Sequence, residues 1–85
     1  MSEFLVEVYV SRVAGAQTVP RPTDVSAAAE QLTREGTPVR LVRSIFVPED
    51  ETCFYLFEAQ TNEAVREVAT RAGLCFARVV EAAAD

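Results

Sequence analysis

The sequence predicts a single α+β domain, because stretches with a two-residue apolar period alternate with stretches of helical period in the order βαββαβ. The chain has 85 residues, which is enough for one small hydrophobic core. Mostly short links and right-handed crossovers join such elements into a four-stranded antiparallel sheet of order 4-1-3-2, with both helices on one face. This is the ferredoxin-like arrangement, and we expect it over the whole chain, 1–85.

The first half of the chain supplies two strands and one helix. Alternation predicts a first strand over Phe4–Val10, and β-branched and large apolar residues predict a second over Val39–Val47. Between them, the apolar spacing and a capping residue predict a helix over Asp24–Glu35. Residues 11–22 are mainly small, polar or proline and predict a loop longer than the usual connection, whereas 83–85 form only a short tail.

The second half repeats the pattern. An apolar run with three aromatic residues predicts a third strand over Cys53–Gln60, which forms a hairpin with the second strand. Thr61 or Asn62 can cap a second helix, and Gly73 ends it. Alternation returns over Phe76–Ala82, which we predict to be the fourth strand.

The charge and the apolar pattern argue against two classes of partner. The formal net charge is -5, whereas a protein that binds nucleic acid needs a basic surface to displace counterions. No apolar run approaches the roughly 20 residues of a membrane span. The first ten residues alternate and contain Glu3 and Glu7, unlike a signal peptide. We therefore expect a cytoplasmic protein that binds neither nucleic acid nor membrane.

The residues of the common catalytic and metal sites are absent from the sequence. There is no histidine, which is the most frequent acid-base group and metal ligand. Three scattered glycines cannot form a phosphate-binding loop. Cys53 and Cys75 lack CxxC spacing and are expected to be free thiols. The sequence therefore predicts no cofactor and no metal, and it identifies no catalytic residue.

One face of the predicted sheet is left without helices, because two small helices cover only one side. The smooth apolar alternates suit the covered face, namely Phe4, Val6, Val8, Val10, Tyr55, Phe57, Ala59 and Val79. The uncovered face is also rich in apolar residues, namely Leu5, Leu41, Ile45, Phe54, Leu56, Phe76 and Val80. Such a surface predicts a homodimer in which two sheets pack face to face, as in dimeric α/β-barrels.

Strand two could also present its other alternating residues to the uncovered face, namely Val42, Ser44 and Phe46. We place Arg43 there because this assignment keeps a charge out of the core.

Four charged residues interrupt the apolar strands of the uncovered face. In the predicted strand order they read Arg78, Glu7, Glu58 and Arg43, so that opposite charges are neighbours. One interpretation is an interfacial salt-bridge network. The alternative is a partly enclosed cavity in which Arg binds a small anionic or carbonyl ligand, Glu acts as general base and the Tyr9 hydroxyl assists. These five residues are the candidate ligand-binding site.

Several short motifs between Gly36 and Ala82 carry a resemblance to a known family, namely Pro48-Glu49-Asp50-Glu51-Thr52-Cys53, Leu56-Phe57-Glu58-Ala59, Glu63-Ala64-Val65-Arg66, Arg71-Ala72-Gly73-Leu74 and Arg78-Val79-Val80-Glu81. In these motifs the chain resembles small bacterial ferredoxin-like proteins described as nickel-binding-like or of unknown function. The resemblance implies a dimer of ferredoxin-like subunits. It also implies chiefly histidine ligands in the members that bind nickel, and this chain has none to offer.

Three functions remain as hypotheses. The first is a dimeric module without metal that binds a small organic ligand or a partner at the uncovered face. The second is a cofactor-free enzyme of the dimeric α/β-barrel type, catalysing proton transfer, cyclisation or oxygenation, which would need a pocket and a Glu with a raised pKa. The third is a metal binder using Glu7, Glu58 and Cys53, although hard cations prefer more oxygen ligands than these supply.

Overall fold

The computed structural model describes residues 2–9, 22–74 and 76–82, and these follow the predicted βαββαβ order. The elements are β1 Ser2–Tyr9, α1 Pro22–Arg34, β2 Val39–Val47, β3 Thr52–Ala59, α2 Asn62–Arg71 and β4 Phe76–Ala82. A 3₁₀ turn, Pro48–Asp50, joins β2 to β3. Val10, Cys75, the tail at 83–85 and the predicted loop up to residue 21 lie outside the described residues.

The four strands form one antiparallel sheet of order β2-β3-β1-β4, which confirms the predicted topology. Helix α1 packs on the edge strand β2, whereas α2 packs on β1, β3 and β4, and the two helices contact each other. Both helices contribute to the same hydrophobic core as one face of the sheet. The opposite face of the sheet is called the open face below. Within the described ranges, neither helix is long and apolar enough to cross a membrane.

Each helix ends where a glycine allows a left-handed backbone. Gly36 has a φ of +108° and Gly73 a φ of +77°. After α1, the Thr37 N–H donates to the Leu32 carbonyl at 3.1 Å, which is the long hydrogen bond of a Schellman motif. The start of α2 is fixed by Thr61, whose side chain accepts a hydrogen bond from the Ala64 N–H at 3.2 Å. Short-range sequence features therefore fix these helix boundaries.

The core lies between the helices and the covered face of the sheet. Helix α1 buries an i, i+3, i+4, i+7 stripe, namely Val25, Ala28, Ala29 and Leu32. Helix α2 buries Ala64, Val65, Val68 and Ala69. The predicted covered residues on β1, β3 and β4 are buried, namely Phe4, Val6, Val8, Tyr55, Phe57, Ala59 and Val79. The alternation of the strands thus assigned the core correctly at each of these positions.

A bulge in β2 changes the face of one predicted interface residue. The pairing of β2 with β3 shifts between Leu41 and Arg43, where β2 has one residue more than β3. Leu41 is therefore opposite the buried Phe57 and packs against the core, so its predicted place on the uncovered face is wrong. After the bulge, Arg43 and Ile45 pair with open-face residues of β3, as predicted. Because side chains alternate along a strand, one additional residue places the side chains on its two sides on opposite faces from those that strict alternation predicts.

A second register shift moves Phe76. Between β1 and β4, Glu7 pairs with Arg78 but the next residue, Val8, pairs with Phe76. Phe76 consequently packs against the core, and the Arg66 guanidinium of α2 lies 5.8 Å from the centroid of its ring. The prediction that Phe76 belongs to the open face is therefore wrong. It assumed strict alternation of side chains along β4, whereas the strand has a bulge between Phe76 and Arg78.

Candidate functional site

The open face consists of three rows of residues that lie opposite one another across the strands. The Glu7 row contains, from β4 to β2, Arg78, Glu7, Phe54 and Ile45. The Leu5 row contains Val80, Leu5, Leu56 and Arg43. The Glu3 row contains Ala82, Glu3, Glu58 and Arg40. The centre of the face is apolar, and charged residues surround this centre.

The apolar residues of the open face are less buried than those of the core. Leu5, Phe54, Leu56 and Val80 are half-buried, and Ile45 is 47% exposed. No helix of the described chain covers them, because α1 and α2 pack on the other side. These five are the predicted interface residues that the structure brings together on this face. They form a continuous apolar surface across the four strands.

The charged quartet is distributed over all three rows of the open face. Glu7 accepts a hydrogen bond from Arg78, with 2.7 Å between Nε and Oε1, as expected for opposite charges on neighbouring strands. Glu58 lies opposite Glu3 rather than Glu7, and Glu7 lies opposite Phe54. Four residues along a strand span about 13 Å, so the two carboxylates of the quartet do not meet. The predicted single row of four charges is therefore wrong.

The partner of Glu58 is Arg40 and not Arg43. Arg40 lies opposite Glu58, and its Nε and Nη2 are 3.1 and 2.5 Å from Oε1. Sequence reasoning missed Arg40 because strict alternation places it on the covered face. A signal was available, however: two charged residues three positions apart in an apolar strand can share a face only through a bulge. The bulge at Val42 allows this.

Two charges on the open face have no ion-pair partner among the residues that the structure describes. Arg43 is exposed and lies opposite Leu56 on the outer strand β2. Glu3 is half-buried on β1, opposite Glu58. The ion pairs Glu7–Arg78 and Glu58–Arg40 leave this one cation and this one anion on the face.

Tyr9 lies at the end of β1, beyond the Glu7 row. It is 64% exposed, and its hydroxyl donates to Glu51 Oε1 at 3.1 Å. This hydrogen bond and the negative charge of Glu51 raise the pKa of Tyr9 above its ordinary value. The Tyr9 hydroxyl is thus engaged with the β2–β3 turn, rather than with the two carboxylates that it was expected to assist.

The fold and the short motifs are similar to those of known proteins. The model of the SCO4226-like family, whose description is "nickel responsive protein SCO4226-like", matches residues 9–82. The chain belongs to the SCO4226-like family. This confirms the resemblance that the short motifs indicated.

A crystal structure shares the fold. SCO4226 from Streptomyces coelicolor A3(2) is similar over 99% of this chain and 99% of that chain, with a TM-score of 0.66 and 17% sequence identity. At this identity the likeness shows a common fold and no more. No curated protein matches the chain.

The family description mentions nickel, and a nickel site needs several donor side chains that converge on one ion. Histidine is absent from the sequence, and the described residues include no group of three His, Cys, Asp or Glu that could hold an ion. Cys53 is buried on the covered face opposite Val8, whereas Glu7 and Glu58 are on the open face. The set Glu7, Glu58 and Cys53 therefore does not converge, and these residues do not fit a nickel site.

Neither carboxylate has the surroundings of a buried general base. The side chains of Glu7 and Glu58 are 31% and 32% exposed, and each accepts a hydrogen bond from a guanidinium. The open face therefore combines a half-buried apolar centre with ion pairs at its borders.

Proposed function

We propose that this SCO4226-like protein is a small homodimeric binding module that uses no metal, and that two open faces pack together around a small organic ligand. The observation that carries the proposal is the half-buried apolar surface of Leu5, Phe54, Leu56 and Val80 in the centre of the open face. A small soluble domain rarely leaves such a surface to water without a partner.

The charges of the open face favour a second copy as that partner. The face has three carboxylates and three guanidiniums, namely Glu3, Glu7, Glu58, Arg40, Arg43 and Arg78, and their formal charges cancel. The net charge of -5 therefore belongs to the rest of the chain. Two copies repel each other least when they approach through their neutral faces.

A two-fold axis would allow the two unpaired charges to form ion pairs between the copies. Arg43 and Glu3 lie in adjacent rows on the two strands that flank β3, on either side of Leu56 and Glu58. In a two-fold interface, if residue i contacts j of the partner, then j contacts i. An axis near Leu56 would therefore pair Arg43 of each copy with Glu3 of the other. Sheet-on-sheet packing of this type also covers the apolar rows.

Self-association can be tested with one substitution and a matched control. Analytical ultracentrifugation of the wild-type protein at micromolar concentration should give a dimer. Leu56→Glu places a charge in the apolar centre and should weaken association at least about tenfold, because an unpaired charge is costly to bury. Ala27→Glu adds the same charge at an exposed position of α1 and should leave the dimer intact. A monomeric wild-type protein would contradict the proposal.

The absence of metal is tested separately. Calorimetric titration with Ni²⁺ should show no stoichiometric binding, since the described residues do not offer a set of converging ligands. Uptake of one nickel ion per chain would overturn this part of the proposal, whatever the oligomeric state.

A further inference from the structure

A second concave surface lies at the edge of the molecule, between α1 and β2. Its volume is about 540 Å³, within the range of roughly 300–1,000 Å³ that is usual for small-molecule sites. A stripe of α1 from Ser26 to Arg34 lines one side, and the start of β2 from Pro38 to Leu41 lines the other. We call it the α1–β2 groove. It is on the helix side of the sheet and is distinct from the apolar centre of the open face.

The lining of the groove suits an apolar body rather than an added β-strand. The exposed Pro38 and the half-buried Leu41 contribute apolar surface, whereas Ala29 and Val39 are buried beneath it, at 2% and 5% exposed. The peptide group of Val39 already has a partner in Thr33: the Val39 N–H donates to Thr33 Oγ1 at 3.1 Å, and Thr33 Oγ1 lies 2.9 Å from the Val39 carbonyl oxygen. A peptide strand pairs through free backbone groups, which this residue of the edge strand does not offer. The groove therefore favours a ligand that presents hydrocarbon at this position.

One cation of the groove is available to an anion. Arg34 and Arg40 contribute two guanidiniums to the lining and Glu30 one carboxylate. The charge of Arg40 is matched by Glu58. Arg34, in the last turn of α1, makes no ion pair with any residue in the described part of the chain. A guanidinium of this kind is suited to the two oxygens of a carboxylate.

We propose that the α1–β2 groove binds a small amphipathic monocarboxylate. Its hydrocarbon part lies on Pro38 and Leu41, and its carboxylate pairs with Arg34. Leu41 of this site lies on the covered side of the sheet, whereas Arg40, at the border of the groove, pairs with Glu58 of the open face.

Octanoate and 1-octanol form a matched pair of probes, since they share the chain length and differ in the charge of the head group. Titrated into the ¹⁵N-labelled full chain below micellar concentrations, octanoate should shift amide resonances within 26–34 and 38–41. Octanol should bind at least about tenfold more weakly, because it lacks a charge-assisted hydrogen bond to Arg34. Equal affinities of the two probes would overturn the proposal. So would shifts confined to Leu5, Phe54 and Leu56 of the open face, or no binding of octanoate.

Substitution of Arg34 tests whether its guanidinium binds the carboxylate of the ligand. Arg34→Gln should reduce the affinity for octanoate about tenfold and leave that for octanol unchanged. Arg66→Gln is the matched control, because Arg66 is on α2 beside Phe76, away from the groove, and should leave both affinities unchanged. If Arg34→Gln binds octanoate as the wild type does, the assignment of Arg34 is wrong. Ultracentrifugation of the same samples reports the dimer separately, so the two proposals can fail independently.

Discussion

The two faces of the sheet are built from the same strands and yet differ in burial and chemistry. On the covered face, Val6, Tyr55 and Phe57 are at most 1% exposed and pack against two helices. On the open face, their neighbours Leu5 and Leu56 are half-buried, and charged residues lie around them. A strand with apolar side chains on both faces needs a packing partner on each face. The helices supply one of them, and a second copy of the chain is the partner that we propose for the open face.

The faces also differ in how their charges are used. On the helix side, Arg71 joins the ends of both helices: it reaches both carboxylate oxygens of Glu35 at 2.8 Å and Glu67 at 2.8 Å. On the open face, each of the two ion pairs joins neighbouring strands and is partly exposed. The helix-side contacts of Arg71 thus join the two helices, whereas the open-face ion pairs join strands at the surface that we propose for the dimer.

The largest expected difference in the free energy of unfolding is between apolar residues of the covered face and those of the open face. Phe57→Ala should lower the free energy of unfolding by about 3–5 kcal/mol, because it leaves a cavity where a fully buried ring was. Leu56→Ala, its neighbour on the open face, should cost about 1 kcal/mol in the monomer. Urea unfolding at one low protein concentration measures both. Similar losses for the two variants would mean that the faces are equivalent in the subunit.

The two kinds of ion pair provide the next test. Arg71→Gln should lower the stability measurably, since it removes the bidentate contact with Glu35 together with the contact with Glu67. Arg78→Gln removes one partly exposed pair with Glu7 and should cost less than about 0.5 kcal/mol in the monomer. Thermal unfolding compares the two. A larger loss for Arg78→Gln would reverse the assignment of roles.

Acid unfolding should reveal the Glu35 contact. The hydrogen bonds from Arg71 hold the pKa of Glu35 below its ordinary value, so this carboxylate stabilises the fold above its unfolded pKa. The stabilisation is lost as the pH falls through the lowered pKa of the folded state. The difference in stability between wild type and Glu35→Gln should therefore shrink from pH 7 to pH 3. Glu81→Gln, at an exposed position of β4, is the control, and a constant difference for Glu35→Gln would contradict the contact.

The smallest effect is expected at Tyr9. Tyr9→Phe removes an exposed hydrogen bond with Glu51 and should leave the stability almost unchanged. In the folded protein, ultraviolet titration should place the Tyr9 phenol above the ordinary pKa of 10.0, because Glu51 opposes its ionisation. Glu51→Gln should lower that pKa. A titration unchanged by Glu51→Gln would show that the hydrogen bond does not form.

Most of the fold could be predicted from the sequence because its signals are local. Glycines at the helix ends, a threonine cap and two-residue alternation each act within a few residues, and the order of elements then leaves few topologies. The candidate site was predicted only in part. Arg78 and Glu7 pair across neighbouring strands as expected, but Glu58 pairs with Arg40. The difference comes from register, which depends on contacts between segments that are distant in the chain.

The sequence by itself determined the elements, their order and the apolar surface that two helices leave open, since these follow from periodicity and caps. Only the tertiary structure decided which residues occupy that surface. The bulge beside Val42 and the register shift before Val8 move Leu41 and Phe76 to the core side, and the first of them brings Arg40 to Glu58. The α1–β2 groove is likewise a product of packing, because its two sides are separate elements that meet only in the folded chain.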